Sequence, residues 1–440
     1  MPAPVTNCDW LERSRAAVWH PCTQMKQHET LPLVPIARGR GAWLYDFEGR
    51  RYLDAVSSWW VNLFGHAHPA INAAIGGQLQ ALEHAMLAGF THEPVIELSE
   101  RLAALAPGAL GHCFYGSDGA SAVEIALKMS AHYWRNRGRP EKNGFICVEH
   151  GYHGETLGAL SVTDVGLFRD AYAPLLRRNV VAPSPDARLA TAGVSPREHA
   201  LAAAEALEAI LAERHAGIAA LIVEPLVQGA AGMAMHDPAY LARARELCTR
   251  YGVHLIADEI MTGFGRTGTM LACEQAAIAP DFLCLSKGIT GGYLPLSVVL
   301  TTDEVYAAFY DDELSRGFLH SHSYTGNALA CRAALAVLDL FRDEDVLARN
   351  RALAARLTAL AQPLAAHPKV RNFRHLGMIW AFEVDSARAD FPRWCFTEAL
   401  ERELLLRPIG KTVYWMPPYV LDEDEIALLA ERTLEIVACA

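Results

Sequence analysis

The sequence predicts an α/β fold: a mainly parallel, fully covered sheet, followed by a smaller α+β lobe at the C-terminal end. Three observations carry that prediction. From Gly111 onward, short apolar runs of strand length alternate with stretches of helical periodicity, as expected of strands buried on both faces. The preceding residues have a different texture, rich in aromatics and punctuated by Pro, Gly and His. After Thr325-Gly326-Asn327 an Ala/Leu-rich helical stretch leads into a final part that alternates strand with helix.

Taken in order, GAWLYDFEGRRYLDAVSS reads as two short strands around the Glu48-Gly49 turn. HCFYG (112–116) is a strand, followed by a helix over 119–136 with apolar residues at Ala122, Ile125, Ala126, Met129 and Tyr133. FICVEH (145–150) is a strand, and 181–199 is a Pro- and Ser-containing surface connection without a domain boundary. A helix over 198–214, the strand IAALIVEP (218–225), a helix over 238–251 and the strands VHLIADE (253–259) and FLCLSKG (282–288) complete this region. The Ala/Leu-rich helical segment runs to about 365. MIWAFEV, LLLRPIG and TVYWMPPYV then supply strands before a terminal helix from about 423.

The 440 residues are 52% hydrophobic and 20% charged, which excludes disordered and fibrous classes. A net charge of −11 removes the electrostatic footprint of a dedicated nucleic-acid binder, so the expected partner is a small molecule. The ten cysteines are scattered with no C-x-x-C, as suits a reducing compartment. No run of about 18 apolar residues suggests a membrane span, and the start of the chain lacks the apolar stretch of a signal peptide. The expected location is cytoplasmic.

Ligands of open α/β sheets bind outside the carboxyl ends of the strands. VHLIADE ends on Asp258 and Glu259, and FLCLSKG ends on Lys287. A lysine following so apolar a run would be desolvated, which lowers its pKa toward a nucleophilic amine. Taken alone, such a lysine more often marks a strand's exit into solvent. Gly119 and Ala120 open the 119–136 helix, where free N–H groups and the macrodipole favour a phosphate. A simple Ser/Asp cap would also account for that start. Together, an anion cradle, a strand-end carboxylate and a strand-end amine are what pyridoxal phosphate requires. Tyr152, in GYHGET, can offer its ring to the face of such a cofactor.

Two decoys need weighing. His150 and His153 have H-x-x-H spacing and His320 and His322 have H-x-H spacing. Neither pair has a third ligand nearby, so loop histidines are expected and no metal is assigned. GFGRTG fits G-x-G-x-x-G through Gly263, Gly265 and Gly268 and would suggest an NAD(P)-dependent oxidoreductase. Such a fingerprint should open a helix directly after its strand, and no helix is expected before about Cys273. The run reads as a loop at the site's edge that presents Arg266 to substrate.

With these residues in hand, the chain resembles the class III, fold type I pyridoxal-phosphate aminotransferases over nearly its whole length. The resemblance lies in WHPCTQMK (19–26), SSWWVNLFGHAHP (57–69), HAMLAGFTHEPVIEL (84–98), GYHGET, IVEPLVQGAAGM (222–233), LIADEIMTGFGRTG (255–268), LSKGITGGYLPL (285–296), HSHSYTGNALAC (320–331) and RPIGKTVYWMPPY (407–419). The Trp59-Trp60 pair and the RPIGK…MPPY element most resemble the branch of the family whose expected reaction converts 8-amino-7-oxononanoate to 7,8-diaminononanoate in biotin synthesis.

The resemblance implies a large domain over 76–335 with a mainly parallel seven-stranded sheet. It also implies a small α+β domain over 336–440, to which an N-terminal segment, 1–75, contributes. It makes Lys287 the Schiff-base lysine and proton shuttle, Asp258 the partner of the pyridine nitrogen, Gly119 and Ala120 the phosphate site, and Tyr152 the stacking ring. His322 and Ser323 would complete the phosphate site from the partner of a homodimer, with Ser321 near substrate. Trp59 would wall the substrate pocket, Arg407 would bind substrate carboxylate, and Glu224 and Arg266 would support the site. The expected amino donor is S-adenosylmethionine.

Departures from the family pattern bear on activity. Met261 stands where relatives acting on ornithine or 4-aminobutyrate have Gln, which argues against those substrates. Cys22 stands where adenosylmethionine users often have Tyr, and Ser323 replaces a frequent Thr. HSYTGN and KGITGGYLP are also similar to members using lysine as donor. Lysine as donor and a broad ω-amino acid:pyruvate transaminase therefore stay open.

Overall fold

The computed structural model describes residues 5–440. The chain forms two compact units, one of Ala70–Asn350 and one combining Met1–Pro69 with Arg351–Ala440.

The larger unit is built on a seven-stranded sheet in the order His112–Gly116, Ser297–Thr301, Phe282–Leu285, His254–Asp258, Ile218–Val223, Gly144–Val148, Val180–Ala182. Only Ser297–Thr301 runs against the rest, pairing antiparallel with both neighbours. The sheet is thus mainly parallel, and the central runs read as continuous apolar segments because both faces are covered. Every residue of Ile218–Val223, His254–Asp258 and Phe282–Leu285 is buried. Helix Gly119–Asn136 packs Ala122, Val123, Ile125, Ala126 and Met129 into a core shared with Ile222, Ile256 and Phe282. Two strands of this sheet were not read from the sequence. Val180–Ala182 overlaps the start of the 181–199 surface connection, and Ser297–Thr301 comes after a Gly- and Pro-rich turn. The Ala/Leu-rich segment is three helices, Ala328–Asp343, Val346–Leu360 and Gln362–Ala365, rather than one. Asp345, at φ 46°, breaks the first from the second.

The second unit holds two small sheets. Ile36–Arg40, Trp43–Asp46 and Arg51–Asp54 form an antiparallel meander, to which Leu404–Leu405 adds in parallel with Leu405 opposite Asp54. N-terminal and C-terminal residues therefore share one sheet. Val370–Leu376, Ile379–Val384 and Thr412–Trp415 form the other, with Trp380, Phe382 and Trp415 fully buried. Helix Glu423–Cys439 starts on a capping box between Asp422 and Glu425. Among the described residues no helix is long and apolar enough to cross a membrane.

Candidate active site

Asp258, 4% exposed, closes its strand in the larger unit. One carboxylate oxygen lies 2.7 Å from His153 Nδ1, and the other accepts the Ile260 N–H at 3.1 Å. His153 is itself buried and donates its backbone N–H to Thr163 Oγ1 at 3.0 Å. Its Nε2 is buried and has no hydrogen-bond partner among the described residues. A ring fixed by the acid on one nitrogen holds that acid's orientation in return.

Lys287 lies two residues beyond its strand and has φ 45°, a left-handed conformation rare for a side chain of this size. Burial holds its ammonium below the ordinary lysine range, while Asp258 and Glu224 pull it back up. Glu224 lies just beyond Ile218–Val223 and accepts the N–H groups of Tyr152 and Gly229, each at 2.9 Å. Burial, opposed by His153, pushes its carboxyl up to about 7. Tyr152 donates its hydroxyl to Glu155 at 2.8 Å and packs its ring 5.3 Å from Phe168.

The 119–136 helix opens at the carboxyl end of the first strand. Asp118 caps it by accepting the Ser121 N–H at 2.9 Å. The N–H groups of Gly119 and Ala120 have no acceptor among the described residues. Space here is tight. A Cβ at Gly119 would come within 2.9 Å of Ile260, and one at Gly154, at φ 118°, within 2.6 Å of Ala120 Cβ. Gly154 lets the 151–156 loop close on the helix start, and Gly119 makes room there for Ile260. His322 Nδ1 sits 3.3 Å from Ser117 Oγ, its Nε2 3.1 Å from His320, and His320 Nδ1 2.7 Å from Lys128 Nζ. Ser321 and Ser323 are exposed, and the Ser323 carbonyl is 2.8 Å from His84 Nε2.

In the second unit Arg407 places its guanidinium 4.5 Å from the centre of the Trp59 ring, a cation–π contact. Trp59 is 41% exposed and Trp60 6%. Both belong to a turn in which Ser57, Ser58, Trp59 and Trp60 have φ of 51°, 46°, 72° and 73°. The left-handed form costs an L-residue about 1–2 kcal/mol, so four in succession need strong outside support.

An orphan anion cradle, a desolvated lysine and a held carboxylate in one unit fit a phosphorylated pyridine aldehyde. Residues 24–437 match the aminotransferase class-III family. The chain belongs to that family. Among curated members, adenosylmethionine-8-amino-7-oxononanoate aminotransferase of Helicobacter pylori is 46% identical, covering 96% of this chain and 95% of that one. The enzyme of the same name from Aquifex aeolicus is 42% identical, over 93% and 92% of the two chains. Among solved structures, the enzyme of that name from Methanocaldococcus jannaschii superposes with a TM-score of 0.91 at 34% identity, covering 98% of this chain and 99% of that one. An amine transaminase from an uncultivated Pseudomonas species, solved with PLP bound, gives 0.89 at 33% identity, over 96% and 98%.

For this class-III aminotransferase chain the structure thus gathers Lys287, Asp258 and Glu224, and separately pairs Trp59 with Arg407. Arg266 is 1% exposed within its loop. The GFGRTG run makes turns up to the Ala272–Ala276 3-10 helix, so no dinucleotide cradle forms and the oxidoreductase reading falls. His153 was missed as a partner of Asp258. Its H-x-x-H spacing drew attention to metals, whereas the useful signal was its place in the loop after a strand that neighbours the 254–258 strand's own partner.

Proposed function

We propose that the chain transfers an amino group from S-adenosylmethionine to 8-amino-7-oxononanoate, giving 7,8-diaminononanoate, with pyridoxal phosphate as cofactor. The observation that carries this is 46% identity across 96% of the chain to an enzyme of that name, in a chain whose Lys287, Asp258 and orphan N–H pair suit the cofactor.

When bound, pyridoxal phosphate supplies the aldehyde that takes up the amino group and a protonated ring that stores the electron pair released at the substrate carbon. Gly119 and Ala120 would hold its phosphate through their N–H groups. Asp258, oriented by His153, would keep a proton on the pyridine nitrogen, and Tyr152 would flank the ring. Lys287 Nζ would hold the cofactor as the anchoring amine and, as a neutral base, would move the proton at the substrate carbon. Its burial favours the neutral form that this work needs. Glu224 holds the Tyr152 loop through the Tyr152 backbone N–H.

Trp59 would wall the substrate pocket and Arg407 would bind substrate carboxylate, for which a planar guanidinium is suited. The segments 1–75 and 336–440 would together form the substrate-facing small domain. His322 and Ser323 would reach the phosphate of a second copy in a homodimer, with Ser321 near its substrate, and the protein would work in the cytoplasm.

Lysine as donor is the second reading, favoured by Cys22 and by the HSYTGN and KGITGGYLP wording. Adding each donor alone to the cofactor-loaded protein decides between them. S-adenosylmethionine should bleach the cofactor's visible absorbance in one turnover and lysine should not. Bleaching by lysine alone would reverse the assignment.

A further inference from the structure

Ser57–Trp60 is, among the described residues, the one run of four consecutive non-glycine residues at positive φ. Strain of this kind persists only where the surroundings over-determine it. The surroundings here are specific. Asp54, 0% exposed, accepts the Ser58 N–H at 2.9 Å on one carboxylate oxygen. Its other oxygen accepts the Ser58 hydroxyl at 2.7 Å and faces His66 Nε2 at 3.1 Å. The His66 ring is met by Asn62 Nδ2 at 3.2 Å, and the Asn62 N–H returns to the Ser57 carbonyl at 3.1 Å. The ring of contacts therefore closes on the turn itself. On the other flank Ser57 Oγ donates to the Met416 carbonyl at 2.6 Å and Trp60 Nε1 to Tyr414 Oη at 3.1 Å.

We propose that Asp54, backed by His66, is a positioning residue that holds this left-handed turn so that Trp59 presents its ring to Arg407, and so sets selectivity for acceptors with a carboxylate at the end of an alkyl chain. The inference rests on the reading of Arg407 as the residue that binds substrate carboxylate. A carboxylate is the suitable clamp because it only accepts, and its two oxygens can serve the N–H, O–H and ring donors together. The register adds a second reason. Asp54 lies opposite Leu405, two residues before Arg407, so one pair of strand ends sets both members of the stack. Trp59 under the guanidinium limits its rotamers and leaves its N–H edges for an anion. A relaxed turn would loosen that arrangement and weaken carboxylate binding without slowing proton transfer.

The test compares Asp54→Ala, Ser58→Ala and the double variant Asp54→Ala/Ser58→Gly with the unaltered holoenzyme. One readout is KM and kcat for 8-amino-7-oxononanoate, and the other is binding of nonanoate followed by tryptophan fluorescence. Asp54→Ala should raise KM and the nonanoate Kd about tenfold with kcat within about twofold. Adding Ser58→Gly should recover most of that loss, because glycine takes the left-handed form without steric cost. Unchanged KM and Kd in folded Asp54→Ala, or a loss in kcat that glycine does not recover, overturns the proposal. Should Asp54→Ala fail to fold, Ser58→Ala on its exposed residue decides: a rise in KM and Kd supports the clamp and no change overturns it. Failure of the functional reading looks different. The unaltered protein would then bind nonanoate in an Asp54-dependent way yet form no diamine.

Discussion

Lys287 carries the heaviest demand placed on any single residue, because the proposed chemistry needs its amine neutral near neutral pH and within reach of a reacting carbon. Lys287→Ala should leave the fold intact and cut turnover by at least about a thousandfold, in keeping with loss of an anchoring nucleophile and proton carrier. Steady-state rates alongside circular dichroism check this, and retention of a tenth of the activity would remove Lys287 from the mechanism. The place of this residue was legible from sequence because a lysine just beyond an apolar strand, with an acid closing the neighbouring strand, is a pattern with a chemical purpose. The burial of Arg266 was not, because nothing in GFGRTG distinguishes an arginine that reaches out from one folded inward. His153 was visible only as half of a metal-like spacing, since its 2.7 Å contact with Asp258 joins residues 105 positions apart.

At the scale of elements, buried acids tie the strand ends to the loops that leave them. Glu259, fully buried, accepts the N–H groups of Ala272 and Cys273 at 2.6 and 2.8 Å and so pins the loop beyond its strand. Burial pushes its carboxyl from 4.5 up to about 7. A group whose folded pKa is raised lends stability that is full below its unfolded value and is lost as pH rises through the folded one. The unaltered protein's advantage in melting temperature over Glu259→Gln should therefore shrink between about pH 5 and about pH 8. Thermal unfolding at both pH values reads this directly, and a gap that stays constant or widens would contradict it. Helices and central strands were legible because periodicity and burial agree in them. Val180–Ala182 was not, being three residues long with a proline next, and the left-handed Ser57–Trp60 turn was not, because no local propensity favours it in Ser-Ser-Trp-Trp. The Asp54 carboxylate on one flank, and contacts distant in sequence to Tyr414 and Met416 on the other, explain it.

For the whole molecule, the acidic charge and apolar composition gain a physical setting. Much of the 52% hydrophobic content fills a sheet covered on both faces, and exposed Met86, Phe90, Leu319 and Tyr324 are apolar surface that a homodimer would cover. If active sites are shared, two individually dead variants should complement each other. Lys287→Ala mixed with a His322→Ala/Ser323→Ala variant, after subunit exchange, should regain about a quarter of unaltered activity, because one hybrid site has neither defect. No recovery, with exchange shown by mass-tagged subunits, would mean each chain completes its own site. The central claim concerns the reaction, and one measurement reaches it: incubate the pyridoxal phosphate-loaded protein with 8-amino-7-oxononanoate and S-adenosylmethionine, and quantify 7,8-diaminononanoate by mass spectrometry. Diamine that forms over many turnovers and disappears in Lys287→Ala is the predicted result. No diamine with either S-adenosylmethionine or lysine, alongside brisk turnover of β-alanine with pyruvate, would contradict the account.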